Sequence, residues 1–284
     1  MVRRKIAPPR GILTTAVADG QRYHHERYHP SPDLDAYVEH YWVVEWDVPS
    51  PTRVETLPHP SVHMIFERGG RSRIRGASRA KFSRLLKGQG AVFAVKFTPA
   101  GFQPFARVPV SRFTDAIVTL RHVFGAAGLE LDEAILAENT TLGRIGIVER
   151  FLRARRPKPD GNVSRVTKIV STAANDRGML KVDDLVERFG LSKRMLQRLF
   201  DRYVGVSPKW VIQRYRLHEA AERLAAGAPA GHSALALDLG YSDQAHFVRD
   251  FKAIVGVSPA AYARRSAAAR NSDRSLAARI AAGS

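Results

Sequence analysis

The rhythm of hydrophobic and polar positions changes along the chain. From about 34 to 110, short runs rich in aromatic and β-branched residues are divided by turn residues. HYWVVEWDV (40–48), VHMIFERGG (62–70) and AVFAVKFTP (91–99) are the clearest. Runs of this kind ending in Gly, Pro or Asp read as strands, and several in close succession predict a small barrel or sandwich. Between 112 and 152 the spacing lengthens to that of helices, in DAIVTLRHVFG, LELDEAILAE and TLGRIGIVERFLRARR. RARRPKPDGN (153–162) holds two prolines, a glycine and four basic residues, a composition suited to a linker. Downstream of it helical periodicity dominates. The predicted order is a tail (1–30), a β-rich domain closed by helices (31–152), a linker (153–163), an all-α domain (164–265) and a second tail (266–284). This is an α+β multidomain chain.

Within the helical half one segment occurs twice. GLSKRMLQRLFDRYVGVSP (190–208) and GYSDQAHFVRDFKAIVGVSP (240–259) each run through a basic amphipathic stretch to a Phe, Phe200 or Phe251. Each then reaches an identical Gly-Val-Ser-Pro after four residues, and the second copy has one extra residue before its Phe. A short apolar helix pattern precedes each copy, VDDLVERF (182–189) and SALALDL (233–239). A short helix, a tight turn with glycine and a second helix with an exposed basic face make a helix-turn-helix. Two in one chain point to double-stranded DNA.

In the first copy Ser192 is the expected N-cap. Leu196, Leu199, Phe200 and Tyr203 fall at core spacing, leaving Lys193, Arg194, Gln197, Arg198 and Asp201 outside. Arg194, Gln197 and Arg198 lie at i, i+3 and i+4, one stripe near the helix start. Arg pairs bidentately with guanine and Gln with adenine, so these three are the expected base readers. In the second copy Ser242 is the expected cap, with Phe247 and Phe251 inward above Ile254. Gln244, Ala245, Val248, Arg249 and Lys252 stay outside. Gln244 and Arg249 can hydrogen-bond bases, and Ala245 can meet a thymine methyl. Ser192, Lys193, Ser242, His246 and Lys252 are expected at phosphates. The second helix offers fewer polar groups and should add less sequence specificity. A central helix from Pro208 to about Ala226 separates the copies, with Lys209, Arg214 and Arg216 as further phosphate candidates. Nineteen residues span roughly 28 Å, near the ~34 Å between successive major-groove faces.

Residues 164–265 resemble the AraC/XylS family of bacterial transcription regulators. The resemblance rests on the paired copies, GVSP at 205–208 and 256–259, and LGYSDQAHFVRDFK at 239–252. It implies a seven-helix domain whose third and sixth helices enter the major groove, with surfaces that touch RNA polymerase. LDAYVEHYWVVEWDV (34–48), LPHPSVHMIFERGG (57–70) and AVKFTPAGFQPF (94–105) resemble the cupin-like domain of some such regulators, which implies sensing of a small-molecule effector or homodimerisation.

Composition narrows the alternatives. The 284 residues carry a net charge of +18, and residues 164–284 supply half of it, so charge favours a polyanionic partner without locating it. There is no cysteine, which removes disulfides, thiolate ligands and the acceptor a DNA alkyl-repair enzyme needs. The basic N-terminus lacks the apolar core of a signal peptide, and no segment approaches the ~18–20 apolar residues of a membrane span. The cytoplasm is the expected location. His59 and His63, with Glu55 or His40 nearby, suggest a cupin metal site, but Pro60 disturbs the strand. No metal, cofactor or enzymatic activity is expected; the alternative is a cupin-type metal enzyme with a DNA-binding appendage. Trp42, Trp46, Phe66, Phe97 and Phe102 read as core more readily than as a pocket. His24, His25 and His29 read as tail, and the basic run from Arg68 through Arg71, Arg73, Arg75, Arg79, Lys81 and Arg84 to Lys87 as a solvated strand pair. The helices of 112–152 offer a dimer surface.

Overall fold

The computed structural model describes residues 12–14, 22–69, 72–155, 157–227 and 232–268. The first half is one antiparallel sheet backed by helices. Its strands are β1 (Ile12–Thr14), β2 (Arg22–Tyr28), β3 (Val38–Thr56), β4 (His63–Phe66), β5 (Arg73–Arg75), β6 (Phe82–Phe97) and β7 (Ile117–Val118). They lie in the order β1-β3-β6-β4-β5-β7, with β2 also pairing with β3. The long strands β3 and β6 form the spine, with register shifts between Val38 and His40 and between Val48 and Thr52. Three short helices follow: α1 (Gln103–Ala106), a 3₁₀ turn (Val110–Phe113) and α2 (Leu120–Phe124). A longer pair, α3 (Ala126–Ala137) and α4 (Thr141–Ala154), completes this half.

The strand alternation sorts side chains between two faces. Tyr41, Val43, Met64, Phe66, Ile74, Phe93, Val95 and Phe97 share one core with Leu131, Ile135, Ile145, Val148 and Leu152 of the helices. Their neighbours Trp42, Val44, Trp46, Ile65 and Val92 turn to the opposite face, where a second, smaller cluster forms. Phe66, Phe97 and Phe102 are therefore core, as the pattern predicts, whereas Trp42 and Trp46 border a cavity.

Several expectations give way. Residues 22–28 are not tail: as β2 they run from Arg22 opposite Asp47 to Tyr28 opposite Tyr41, so His24 and His25 belong to the sheet. Residues 1–11, 15–21 and 269–284 lie outside the described residues, as does Arg71. Ile117–Val118, read as helical, pairs with β5. Four residues of the basic run are paired with carboxylates. Arg73 and Arg84 both bind the buried Glu67, Arg79 binds Asp115, and Lys81 binds Glu55. The linker is shorter than its composition implies, because α4 continues to Ala154 and the next helix starts at Gly161.

The second half contains α5 (Gly161–Asn175), α6 (Val182–Phe189), α7 (Lys193–Tyr203), α8 (Pro208–Ala225), α9 (His232–Asp238) and α10 (Gln244–Val255). A further helix, α11, covers 259–268. Among the described residues, no helix is long and apolar enough to cross a membrane. Two cores divide this half. Val166, Ile169, Leu185, Leu196, Phe200 and Val211 anchor the first; Leu217, Leu224, Leu235, Phe247 and Phe251 anchor the second. Helix α8 contributes to both. The sheet domain docks on both: Ala77 and Ala100 enter the first core and Leu57 the second. Thr114 donates its hydroxyl to the Gly205 carbonyl, and Arg214 donates Nε to the Pro58 carbonyl.

Candidate nucleic-acid interface

Helices α6 and α7 form the first helix-turn-helix. Gly190 ends α6 at φ 60°, in the left-handed region that glycine tolerates best. Two residues later Ser192 caps α7 by accepting the Met195 amide. Leu196, Leu199, Phe200 and Tyr203 are all buried, and Tyr203 donates to Asp160, the cap of α5. That hydrogen bond helps hold the Asp160 carboxyl below the usual carboxylate range, against the opposing effect of burial. The buried row rotates Lys193, Arg194, Gln197 and Arg198 to solvent, as the spacing predicts. Lys193 pairs with Asp183 on α6 at 2.6 Å, but both side chains are 63% exposed, so the pair adds little stability. Met195, 42% exposed, shares this face. The sequence reading did not single it out; its apolar side chain between Arg194 and Arg198 was the available signal.

Helices α9 and α10 form the second. Gly240 at φ 80° makes the turn, but the cap is Asp243, not Ser242: its carboxylate accepts the His246 amide at 2.8 Å. The extra residue of this copy therefore sits in the turn. Counting back from the buried Phe explains the difference, because Ser192 precedes Phe200 by eight residues and Asp243 precedes Phe251 by eight. The same count aligns Arg194 with Ala245, Gln197 with Val248 and Arg198 with Arg249. Backbone hydrogen bonding lowers the pKa of the Asp243 carboxyl, so the cap stays ionised. Phe247 and Phe251 are wholly buried, while Gln244, Ala245, Arg249 and Lys252 are exposed. His246 is half-buried, its ring edge-on to Tyr241 and its Nε2 3.2 Å from Asp250. Ser242 is exposed.

The linking helix departs most from expectation. Lys209 is exposed at its start, but Arg214 and Arg216 are each 3% exposed. Arg216 donates to the carbonyls of Ala173 and Asp176, closing the C-terminal end of α5, and pairs with Glu219. Arg214 lies under the sheet domain, held by the Pro58 carbonyl and stacked on Tyr215. Neither guanidinium reaches a phosphate in this arrangement. An Arg on an amphipathic helix normally faces water; for Arg214 the sheet domain overrides that, and for Arg216 the C-terminal end of α5 does.

Among the described residues, His59 and His63 meet no third ligand. Among the described residues, no group of three His, Cys, Asp or Glu side chains converges as a metal site. His63 accepts a hydrogen bond from Trp42, and His59 lies beside Ser61.

Residues 185–265 match the family described as a helix-turn-helix domain, and residues 26–119 match a domain of unknown function, DUF6597. The chain is 33% identical over 94 residues to the HTH-type transcriptional activator AarP of Providencia stuartii, a match covering 33% of this chain and 69% of AarP. It is 31% identical over 100 residues to the probable transcription factor PqrA of Proteus vulgaris, covering 35% of this chain and 81% of PqrA. A solved transcriptional regulator with an AraC-type DNA-binding domain, from Chromobacterium violaceum, is 28% identical. That match covers 38% of this chain and 96% of the other, with a TM-score of 0.34.

Proposed function

The chain belongs to the AraC/XylS family of helix-turn-helix transcription regulators, and we propose that it reads a bipartite operator by inserting α7 and α10 into successive major grooves on one side of the duplex. The carrying observation is the pair of capped helices with outward polar faces, joined by one helix built into both cores. Eighteen residues of α8 span about 27 Å, short of the ~34 Å groove repeat. The remaining distance falls to the turns at each end of α8 or to bending of the DNA toward the protein, which costs on the order of 1–6 kcal/mol.

Roles follow from position. Arg194, Gln197 and Arg198 read bases from α7. Arg249 and Gln244 do so from α10, with Ala245 against a thymine methyl. Lys193, Lys209 and Lys252 supply charge to phosphates, and the capped starts at Ser192 and Asp243 set the angle of each helix to the groove. Ser242 and His246 flank the second contact. Selection from random duplexes by the full-length protein at near-physiological salt tests this reading. Two short conserved blocks about one helical turn apart support it. Enrichment without a motif, with a salt slope near −0.9 per neutralised phosphate as the only signature, overturns it.

A further inference from the structure

The two reading units differ in one set of positions running from the turn along the reading helix. Leu191 and Tyr241 each follow a turn glycine, and each donates its amide N–H to the carbonyl five residues back, Val186 or Ala236. Both are 9% exposed. Counting back from the buried Phe pairs Met195 with His246 and Leu199 with Asp250. The first unit thus sets Leu191, Met195 and Leu199 where the second sets Tyr241, His246 and Asp250. Three apolar side chains give way together to three that can carry a proton.

The second set is joined by contact. His246 places Nε2 3.2 Å from the Asp250 carboxylate, one turn further along α10, and its ring stands edge-on to Tyr241. From α8, the uncharged Gln213 donates to the same carboxylate. Burial first, and then the Asp250 charge, raises the pKa of Tyr241, so its hydroxyl keeps its proton. At the start of the helix the ionised cap Asp243 accepts the His246 amide. Arg249, the cation three residues on, is exposed to water. Two carboxylates and one solvated guanidinium are therefore the charges around an imidazole that is 45% exposed in the first turn of α10.

An imidazole that donates Nε2–H to a carboxylate keeps Nδ1 as its second nitrogen, an acceptor while the ring is neutral and a donor once it is protonated. Among the described residues, Nδ1 of His246 has no protein partner. The free oxygens of a phosphodiester can only accept, so a phosphate meets this ring favourably as the imidazolium alone. The first turn of a helix disfavours a cation, and Asp250 beside the ring offsets that. We propose that His246 binds a DNA phosphate through Nδ1–H after taking up a proton from solvent, with Asp250 as the positioning residue that orients the ring and Gln213 holding Asp250 in place. The inference rests on the DNA reading of α10 given above and adds to it one proton bound together with the duplex. Met195, the counterpart on α7, cannot titrate, so the first unit is free of this dependence.

The test follows binding of the full-length protein to the duplex recovered by selection, and to a scrambled duplex, from about pH 6 to pH 8 at constant salt, the range in which histidine changes charge. An opposite charge within about 4–6 Å shifts a pKa by about 1–3 units toward the charged form, and each unit is tenfold in affinity. The wild-type association constant should therefore fall with rising pH by about tenfold more than that of His246→Gln. Asp250→Asn keeps an oxygen for Gln213 but removes the charge, and should flatten the wild-type profile. A purely structural role would instead lower affinity alike at every pH. His246 is half exposed, so His246→Gln decides the matter even if Asp250→Asn fails to fold. Equal slopes in the wild type and His246→Gln, with the recovered duplex still preferred, overturn this proposal alone. A full wild-type slope in folded Asp250→Asn overturns the role of Asp250. No preference for the recovered duplex at any pH overturns the DNA reading and the proposal with it.

Discussion

The two helix-turn-helix units are copies of one device, and they differ almost wholly on the outside. Gly205 and Gly256 both sit at φ 90° in their Gly-Val-Ser-Pro turns. Phe200 and Phe251 are both fully buried, and both helices start on a side chain that accepts the amide three residues on. Outside, α7 presents Arg194 and Gln197 where α10 presents Ala245 and Val248, and only the position of Arg198 and Arg249 keeps its chemistry. The second unit also ties its helix inward, since Asp250 accepts from Gln213 of α8 and pairs with His246. The buried framework is shared, and the outer faces, which we propose to meet DNA, differ. A shared scaffold with unequal surfaces implies two unequal half-sites.

Substitutions at matched positions test how far that likeness extends. The largest effects belong to the shared core: Phe200→Ala and Phe251→Ala should each cost about 3–5 kcal/mol. Because α8 belongs to both cores, urea denaturation should show a single transition for this domain in either variant. Two separated transitions would mean that the copies fold independently. Next come the outer faces. Arg194→Ala and Arg198→Ala should each cost about 1–3 kcal/mol of binding and relax base preference at one position of the same half-site. Arg249→Ala should do so in the other, whereas Lys209→Ala should weaken all sequences alike. Uniform weakening by Arg194→Ala would move that residue to the phosphates.

The glycines sharpen the contrast. Gly205→Ala and Gly256→Ala each place a side chain at positive φ, costing about 1–2 kcal/mol. At Gly205 the new Cβ also meets Thr114 Oγ1 at 2.8 Å and the Val110 carbonyl at 3.0 Å, whereas at Gly256 it meets only the flexible end of Lys81. Thermal melts should rank Gly205→Ala as the worse; the reverse order would contradict the tighter docking of the sheet domain on the first unit. Smallest are the caps, where Ser192→Ala and Asp243→Ala should cost about 1 kcal/mol each. A neutral Asp243→Ala together with a costly Ser242→Ala would restore the serine as cap.

The helical domain was legible because its information is local and given twice: turn glycines, caps and core spacing all lie within twenty residues of one another. Asp243 was misread because the copies were aligned from their glycines; the rigid part is the helix, and counting from Phe251 locates the cap. Strand β2 was missed because RYHHERY is polar, and an edge strand is held by main-chain pairing that side-chain pattern does not encode. In β3 the pattern held more than the first reading took from it. Apolar residues at both parities, Tyr41 and Val43 against Trp42, Val44 and Trp46, mark a strand with no face to solvent, and the second face proved to border a cavity. The burial of Arg214 could not be read at all, because it depends on a segment about 156 positions earlier in the chain.

The contacts that seat the sheet domain on the helices also bear on genetics. Thr114 reaches the carbonyl of Gly205 and Arg214 that of Pro58, so in each pair only one partner is a side chain. A carbonyl persists through any replacement of its residue. Each tie is thus exposed to mutation from one side alone, and the lesion cannot be repaired by a complementary change opposite it. Revertants of an Arg214 defect should therefore map not to residue 58 but to distant positions that restore the fit as a whole.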